Sequence, residues 1–305
     1  MGSLKILLTG CHGLLGQRIV QSITGDVFVH GVDIDDSAFI HGKQFEYSRI
    51  DITKRREVAG IVRSLQPDWI INAAAFTDVD ACETEKEKCW RINVESVEHL
   101  CHYARACKAK LIHLSTDYIF DNRKELYTED DRAAPLSYYG KSKLASENTV
   151  RASGPDWAII RTSTLYDVDM LKGRNNFVTW VIHNLQRREK IRVVTDQWGN
   201  PTLARNLAGA IWRVITGNER GVFHVAGRDV VDRYRFTRAV AEKFNLDHDL
   251  IFPVTTDMLD QKAQRPLKIG LDTSKAARVL EIPLLGLAEG LDLFKKDYLK
   301  VHRIN

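Results

Sequence analysis

The sequence predicts an α/β fold, a mostly parallel sheet with helices on both faces and a smaller C-terminal lobe. Three observations carry that prediction. Short apolar runs alternate with longer amphipathic stretches through the first half of the chain, the pattern of a parallel sheet whose strands are joined by crossover helices. Runs such as Trp69-Ile70-Ile71 are apolar without alternation, as strands with no solvent face must be. A turn spaced by Gly10, Gly13 and Gly16 separates the first apolar run from the first amphipathic one.

In order, Lys5–Leu8, Val27–Val32, Trp69–Asn72, Lys110–Leu114 and Trp157–Arg161 read as strands, with a further one before Asp51. Helices are expected at Gly13–Ser22, Arg55–Leu65, Cys89–Ala106 and Tyr138–Arg151. Beyond Arg161 the pattern is less regular. Asn175–Gln186 gathers Phe177, Trp180, Val181 and Leu185 on one side of a helix, and Asn206–Ile215 reads as another. Val222–Ala226 reads as a strand and Arg233–Phe244 as a helix, and the tail holds Asp257–Gln261 and a helix near Thr273–Leu280 on either side of Arg265-Pro266. No Gly/Ser linker and no internal repeat divides the chain.

The whole-chain properties exclude several classes. At 305 residues the chain buries a large core without staples. Its 44 Lys and Arg against 40 Asp and Glu leave +4, spread along the sequence, which argues against nucleic-acid binding and suits a small polyanionic ligand. Cys11, Cys82, Cys89, Cys101 and Cys107 form no C-x-x-C pair and no zinc-like spacing, so free thiols in a reducing compartment and no metal site are expected. The N-terminus runs straight into the Leu4–Thr9 strand pattern, and no apolar stretch approaches the roughly 20 residues that span a bilayer. A cytoplasmic protein without a membrane partner is the expectation.

Gly10-Cys11-His12-Gly13-Leu14-Leu15-Gly16 gives G-x-x-G-x-x-G between a strand and a helix. Glycines there permit a tight turn and close backbone approach, and the following helix N-terminus offers N–H groups to a pyrophosphate. The motif makes the fold Rossmann-like and places Gly10, His12, Gly13, Leu14, Leu15 and Gly16 against a dinucleotide. Residues 1–162 are then mainly the dinucleotide-binding domain, and 163–305 a mixed region that adds to the main sheet and forms the substrate lobe. Asp33 ends the second strand seventeen positions after Gly16, where a carboxylate accepts from ribose hydroxyls and repels a 2′-phosphate, favouring NAD over NADP. Asp35 or Asp36 is the alternative carboxylate. Asp51 and Ile52 are expected at the adenine end, and Ala73, Ala74 and Ala75 let backbone and cofactor approach closely.

Tyr139 and Lys143 form Y-x-x-x-K, which one helical turn brings onto the same face. The Lys143 ammonium is expected to stabilise the Tyr139 phenolate, since a free phenol near pKa 10 is poorly matched to neutral pH. At the end of the fifth strand, Thr116 offers a hydroxyl to a substrate carbonyl or alkoxide, with Ser115 as the adjacent alternative on the opposite face. The combination reads as an oxidoreductase.

On these residues the chain resembles the extended short-chain dehydrogenase/reductases, and within them the dTDP-4-dehydrorhamnose reductase family. The resemblance runs through Gly10–Gly16, Asn72–Asp80, Ser115–Asp121, Pro135–Lys143, Arg161-Thr162-Ser163, Gln197–Thr202, and Arg265-Pro266 before Leu271–Lys275. It implies Thr116, Tyr139 and Lys143 as catalytic residues and NAD(H) or NADP(H) as cofactor. It also implies reduction of the 4-keto group of a nucleotide-linked 6-deoxy sugar, and compatibility with a homodimer. Thr77, Val79, Asp80, Thr116, Asp117, Trp198 and Arg265 are then expected to border the substrate. Asp121-Asn122-Arg123-Lys124 departs from the family pattern, in which a glycine often follows the aspartate. Arg161, Arg174, Arg192 and Arg265 are candidates for phosphate contacts, and Trp180 and Trp198 for lining a pocket. The chain is also similar to regulatory beta subunits of methionine adenosyltransferase, through Ala263-Gln264-Arg265-Pro266, which implies a noncatalytic alternative. Epimerase or dehydratase chemistry on a related sugar nucleotide is the third reading.

Overall fold

The computed structural model describes residues 3–35, 44–154, 156–171 and 176–302. Asp36 and Arg174 lie outside the described residues. The first half runs β1 (Leu4–Thr9), α1 (Leu14–Gln21), β2 (Val27–Asp33), β3 (Phe45–Arg49), α2 (Arg55–Leu65) and β4 (Trp69–Asn72). It continues with α3 (Val79–Thr84), α4 (Lys86–Trp90), a π-helical turn at Arg91–Glu95, α5 (Ser96–Cys107), β5 (Lys110–Thr116), β6 (Leu126–Tyr127), α6 (Tyr138–Ala152) and β7 (Trp157–Thr162). Then come β8 (Leu165–Tyr166), α7 (Phe177–Gln186), β9 (Ile191–Val194), β10 (Trp198–Gly199), β11 (Thr202–Leu203), α8 (Ala204–Gly217) and β12 (Gly221–His224). The chain ends with β13 (Val231–Asp232), α9 (Arg233–Lys243), β14 (Ile251–Val254), β15 (Gly270–Leu271), α10 (Ser274–Val279) and α11 (Leu287–Val301).

Seven strands form one parallel sheet in the order β12-β7-β5-β4-β1-β2-β3. Strand order reverses between β1 and β4, and a crevice opens above the carboxyl ends of strands at such a switch point. Gly10 and Asn72-Ala73-Ala74 sit at that place, because β1 and β4 pair in register from Ile6 with Trp69 to Thr9 with Asn72. Both faces of the sheet are covered, as the unbroken apolar strands require: Ile6, Leu8 and Ile71 pack under α1 and α8, and Leu7 and Ile70 under α2 and α5.

The smaller lobe has its own core, in which Val178, Val181, Ile182 and Leu185 of α7 meet Phe236 and Val240 of α9 and Leu291, Phe294 and Tyr298 of α11. The parallel pair β9 and β14 closes it. Two departures from the sequence reading have physical reasons. The single helix expected over Cys89–Ala106 is interrupted by the π-helical turn, where Asn93 bonds the Phe76 backbone. Asp257–Gln261 contributes only the end of a short 3-10 turn at Thr256–Met258, since Asp196 caps Thr256 there. No helix among the described residues is long and apolar enough to cross a membrane.

Candidate active site

The glycine turn is a bare-backbone surface enforced by contact. A Cβ on Gly10 would lie 2.8 Å from the Ala74 nitrogen, and Gly10 has φ +69°. A Cβ on Gly16 would lie 2.2 Å from the Gly10 carbonyl oxygen. No larger residue fits at either position. Gly13 caps α1 in extended geometry with no side-chain hydrogen bond, leaving the helix N-terminus for an anion. Leu15 turns into the core beside Ile19, while Leu14 is half-buried, so Leu15 presents only backbone to the crevice. This cradle has the donors and the clearance that a dinucleotide phosphate requires.

Beside it, one Asp33 carboxylate oxygen accepts from the His12 N–H at 3.0 Å and the other from the Ile34 N–H at 2.8 Å. The acid is thus fixed at the lip of the cradle. The buried His12 ring stacks on Tyr47 with 4.6 Å between centroids. Cys11, His12 and Asp33 also bring a sulfur, a ring nitrogen and a carboxylate oxygen within 4.8 Å, a cluster that sequence spacing does not reveal. Burial and the neighbouring Asp33 push the Cys11 thiol far up, so it holds its proton and is a poor ligand. Next to Asp33 a cavity of ≈ 650 Å³ opens to solvent, lined by Ile34, Arg49, Ile50, Asp51, Lys54 and Glu57. Asp51 itself accepts from the backbone and hydroxyl of Thr53, and Ile52 is core.

Thr116, Tyr139 and Lys143 converge at the carboxyl end of β5. Ser137 caps α6 by accepting from the Gly140 N–H at 3.1 Å, and a Cβ on Gly140 would meet the Tyr118 carbonyl at 2.2 Å. Glycine in that position lets α6 lie directly on the Asp117–Ile119 turn and brings Tyr139 to the strand end. The Thr116 hydroxyl lies close enough to Tyr139 to act against the upward push of burial on its phenol, and it donates to Asp117 at 3.0 Å. Buried Asp117 also accepts from Ser163 at 2.5 Å, and burial raises its carboxyl against those bonds and the charge of Arg233. Ser115 Oγ, the alternative hydroxyl, is buried and has no partner.

The electrostatics of the pair differ from the expectation. Burial pushes the Tyr139 phenol up rather than the lysine pulling it down. Lys143 donates to the Leu114 carbonyl at 2.6 Å and lies 3.4 Å from His113 Nε2. Burial lowers the Lys143 amine to about 8. Desolvation disfavours the charged form of each group, so it acts in opposite directions on an acid and a base.

The other residues expected around the sugar lie on α3 and the segment leading into it, on β10, and in the segment before β15. Thr77 is exposed, Val79 is half-buried, and Asp78 caps α3 from the Ala81 N–H. Asp80 and Arg265 face each other in a two-armed ion pair, Nη1 to Oδ1 at 2.6 Å and Nη2 to Oδ2 at 2.7 Å, which holds the Asp80 carboxyl down. Trp198 is half-buried with Arg235 stacked over its ring at 5.2 Å. Three other candidates have different work. Arg161 is buried on Glu147 through Nε at 2.9 Å and Nη2 at 2.8 Å. Arg192 donates to the Met258 carbonyl, and Trp180 packs beside Phe177.

Residues absent from the sequence reading complete the site. Asn93 donates to the Phe76 carbonyl at 3.1 Å and to Ser142 at 3.0 Å, tying α6 to the Ala73–Phe76 segment. Cys82 and Cys89, both buried, form the wall behind Tyr139. Arg233 opens α9 with its guanidinium 4.9 Å from the Phe177 ring centre, close enough to Asp117 and Tyr118 to perturb both. Among the described residues it makes no ion pair within 4.0 Å. Sequence spacing carries no signal for Arg233, because its relation to Thr116 exists only after the lobe folds back.

Comparison with known proteins gives these constellations a lineage. The family model described as RmlD substrate binding domain matches residues 4–299. The spore coat polysaccharide biosynthesis protein SpsK of Bacillus subtilis (strain 168) is 32% identical over 270 residues, covering 86% of this chain and 87% of that protein. A dTDP-4-dehydrorhamnose reductase of Mycolicibacterium smegmatis is 33% identical over 286 residues, covering 91% and 85%. The structure of dTDP-4-dehydrorhamnose reductase from Bacillus anthracis in complex with NADP is similar at a TM-score of 0.85 and 28% identity, covering 97% of this chain and 99% of that one. A glycine cradle at the switch point, Y-x-x-x-K on α6 and a family match across residues 4–299 make this chain a member of the dTDP-4-dehydrorhamnose reductase (RmlD) family of extended short-chain dehydrogenase/reductases.

Proposed function

We propose that this protein uses NADH or NADPH to reduce the 4-keto group of a nucleotide-linked 6-deoxy sugar, with dTDP-4-dehydrorhamnose as the substrate first to be tried. The observation that carries this reading is that Thr116 and Tyr139 are buried together at the strand end beside the cradle. Bound nicotinamide supplies hydride to the carbonyl carbon. The chain's own residues manage the oxygen. Tyr139, which burial keeps protonated, gives its proton to the developing alkoxide, and the Thr116 hydroxyl positions that oxygen. Arg233 offers its charge to the substrate diphosphate, which a guanidinium recognises through paired hydrogen bonds.

Purified protein incubated with NADH or NADPH and a panel of nucleotide-linked 4-keto sugars tests the proposal, with cofactor oxidation and sugar product both followed. Turnover of the thymidine-linked 4-keto sugar is expected, and Tyr139→Phe is expected to lower kcat about 10²- to 10⁴-fold. Comparing the two cofactors tests whether Asp33 excludes the 2′-phosphate. Sugar binding without turnover, together with a copurifying enzyme whose activity depends on this chain, would overturn the reductase reading in favour of a regulatory subunit. The proposal places the protein in the cytoplasm, where thiols stay reduced.

A further inference from the structure

A chain of buried polar groups runs from the nucleotide cradle to the back of Lys143, and its hydrogen-bond sense is determined. Thr9, the last residue of β1 before Gly10, accepts from the Ala74 N–H at 3.4 Å, which leaves its own proton to be donated to Asn72 Oδ1 at 2.7 Å. Asn72 therefore turns its amide nitrogen toward His113, where Nδ2 lies 3.1 Å from Nδ1. A ring nitrogen that accepts carries no proton, so the neutral ring bears its hydrogen on Nε2.

The other side of the ring gives the same answer. Ser146 Oγ donates to the Lys143 carbonyl at 2.7 Å and so presents a lone pair to His113 Nε2, 2.9 Å away. His113 is wholly buried, and burial and the neighbouring Lys143 both hold it neutral. Lys143 Nζ, 3.4 Å from Nε2, thus meets an N–H edge and not an acceptor. An ammonium opposite an N–H is disfavoured relative to a neutral amine.

We infer that His113 is a positioning residue, fixed as its Nε2–H tautomer by Thr9 and Asn72, which sets the proton affinity of Lys143 by denying it an acceptor beyond the Leu114 carbonyl. The titratable groups facing the amine are Glu147 on α6, Cys89 on α4 and His113 on β5, and its hydrogen-bond acceptor is the Leu114 carbonyl. Glu147 is engaged by Arg161 of β7 and by Arg151. The inference deepens the reductase reading and rests on it only for the part Lys143 takes in proton transfer.

The test reads protons directly, in cofactor-free protein. Protein labelled with 15N-histidine is expected to show His113 protonated at Nε2 and bare at Nδ1 from pH 6 to 9. In protein labelled with 15N-lysine, Lys143 Nζ is assigned by its loss in Lys143→Arg and titrated. In Asn72→Asp the carboxylate accepts from Nδ1–H, Nε2 becomes an acceptor, and the Lys143 midpoint is expected to rise by about one pH unit or more. In Asn72→Asp/His113→Phe, which keeps the new charge and removes the ring, most of that rise is expected to vanish. A wild-type ring protonated at Nδ1, or a rise in the double variant equal to that in the single, would overturn the inference. Neither measurement needs a sugar substrate, so absence of turnover counts against the reductase proposal alone.

Discussion

At Tyr139 and Lys143 burial acts in opposite senses on two groups one helical turn apart, holding the proton on the phenol and loosening it from the amine. The lysine carries a stability consequence with a definite sign. Its folded pKa, about 8, lies below the ordinary 10.5, so between those values the unfolded chain binds a proton that the folded one does not. Stability contributed through this group therefore rises with pH across that window, and the cost of burying the ammonium is fully present below it. The full shift corresponds to about 3 kcal/mol. Denaturation of wild type and Lys143→Met at pH 7 and at pH 10 is expected to show the variant gaining relative stability at the lower pH; equal differences at both would refute the assignment. The Y-x-x-x-K spacing makes the pair legible in the sequence, but not the direction of its titration, which follows from burial by segments distant along the chain.

Among the elements, α1 and its turn are the least forgiving. Gly16→Ala places a methyl against the Gly10 carbonyl and the Cys11 backbone, and overpacking of that kind costs about 1–3 kcal/mol. Loss of NADH and NADPH binding, followed by cofactor fluorescence, is expected. Gly60→Ala is the contrast. Gly60 lies within α2 with nothing within 4 Å of an added Cβ, so a gain of about 1 kcal/mol and unchanged cofactor binding are expected. Five strands of the first half and helices such as α2 were readable because their apolar runs reflect burial on both faces or one. The π-helical turn was not, since Asn93 leaves the regular spacing to bond Phe76 in another segment. Helix α11 carries Leu287, Leu291, Phe294 and Tyr298 at helical spacing, a signal in the sequence that the reading did not use. The short strands β6, β8, β10, β11, β13 and β15 have two residues each, too few for any period to register.

Across the whole molecule, the cradle helix is bound to the C-terminal half by charge. Buried Arg18 of α1 meets Asp167 and lies 3.4 Å from Asp297 of α11, and Asp167 accepts from the Arg205 N–H at 3.0 Å. Removing one member of a buried pair leaves the other uncompensated, so Asp167→Ala is expected to cost about 3–5 kcal/mol, read by chemical denaturation; a change under about 1 kcal/mol would show the network to be ornamental. The path of the chain through the sheet has a further consequence. After β7 it leaves to build the lobe and returns as β12 to pair along the outer side of β7, with Val222 opposite Ile159 and Phe223 opposite Ile160. A fragment stopped at Thr162 would carry the whole nucleotide cradle and the catalytic pair yet expose a raw apolar margin, the kind of unpaired border on which proteins stick to one another. Such a fragment should precipitate rather than bind cofactor, and adding residues 163–305 as a separate piece should rescue its solubility only if the margin is sealed again.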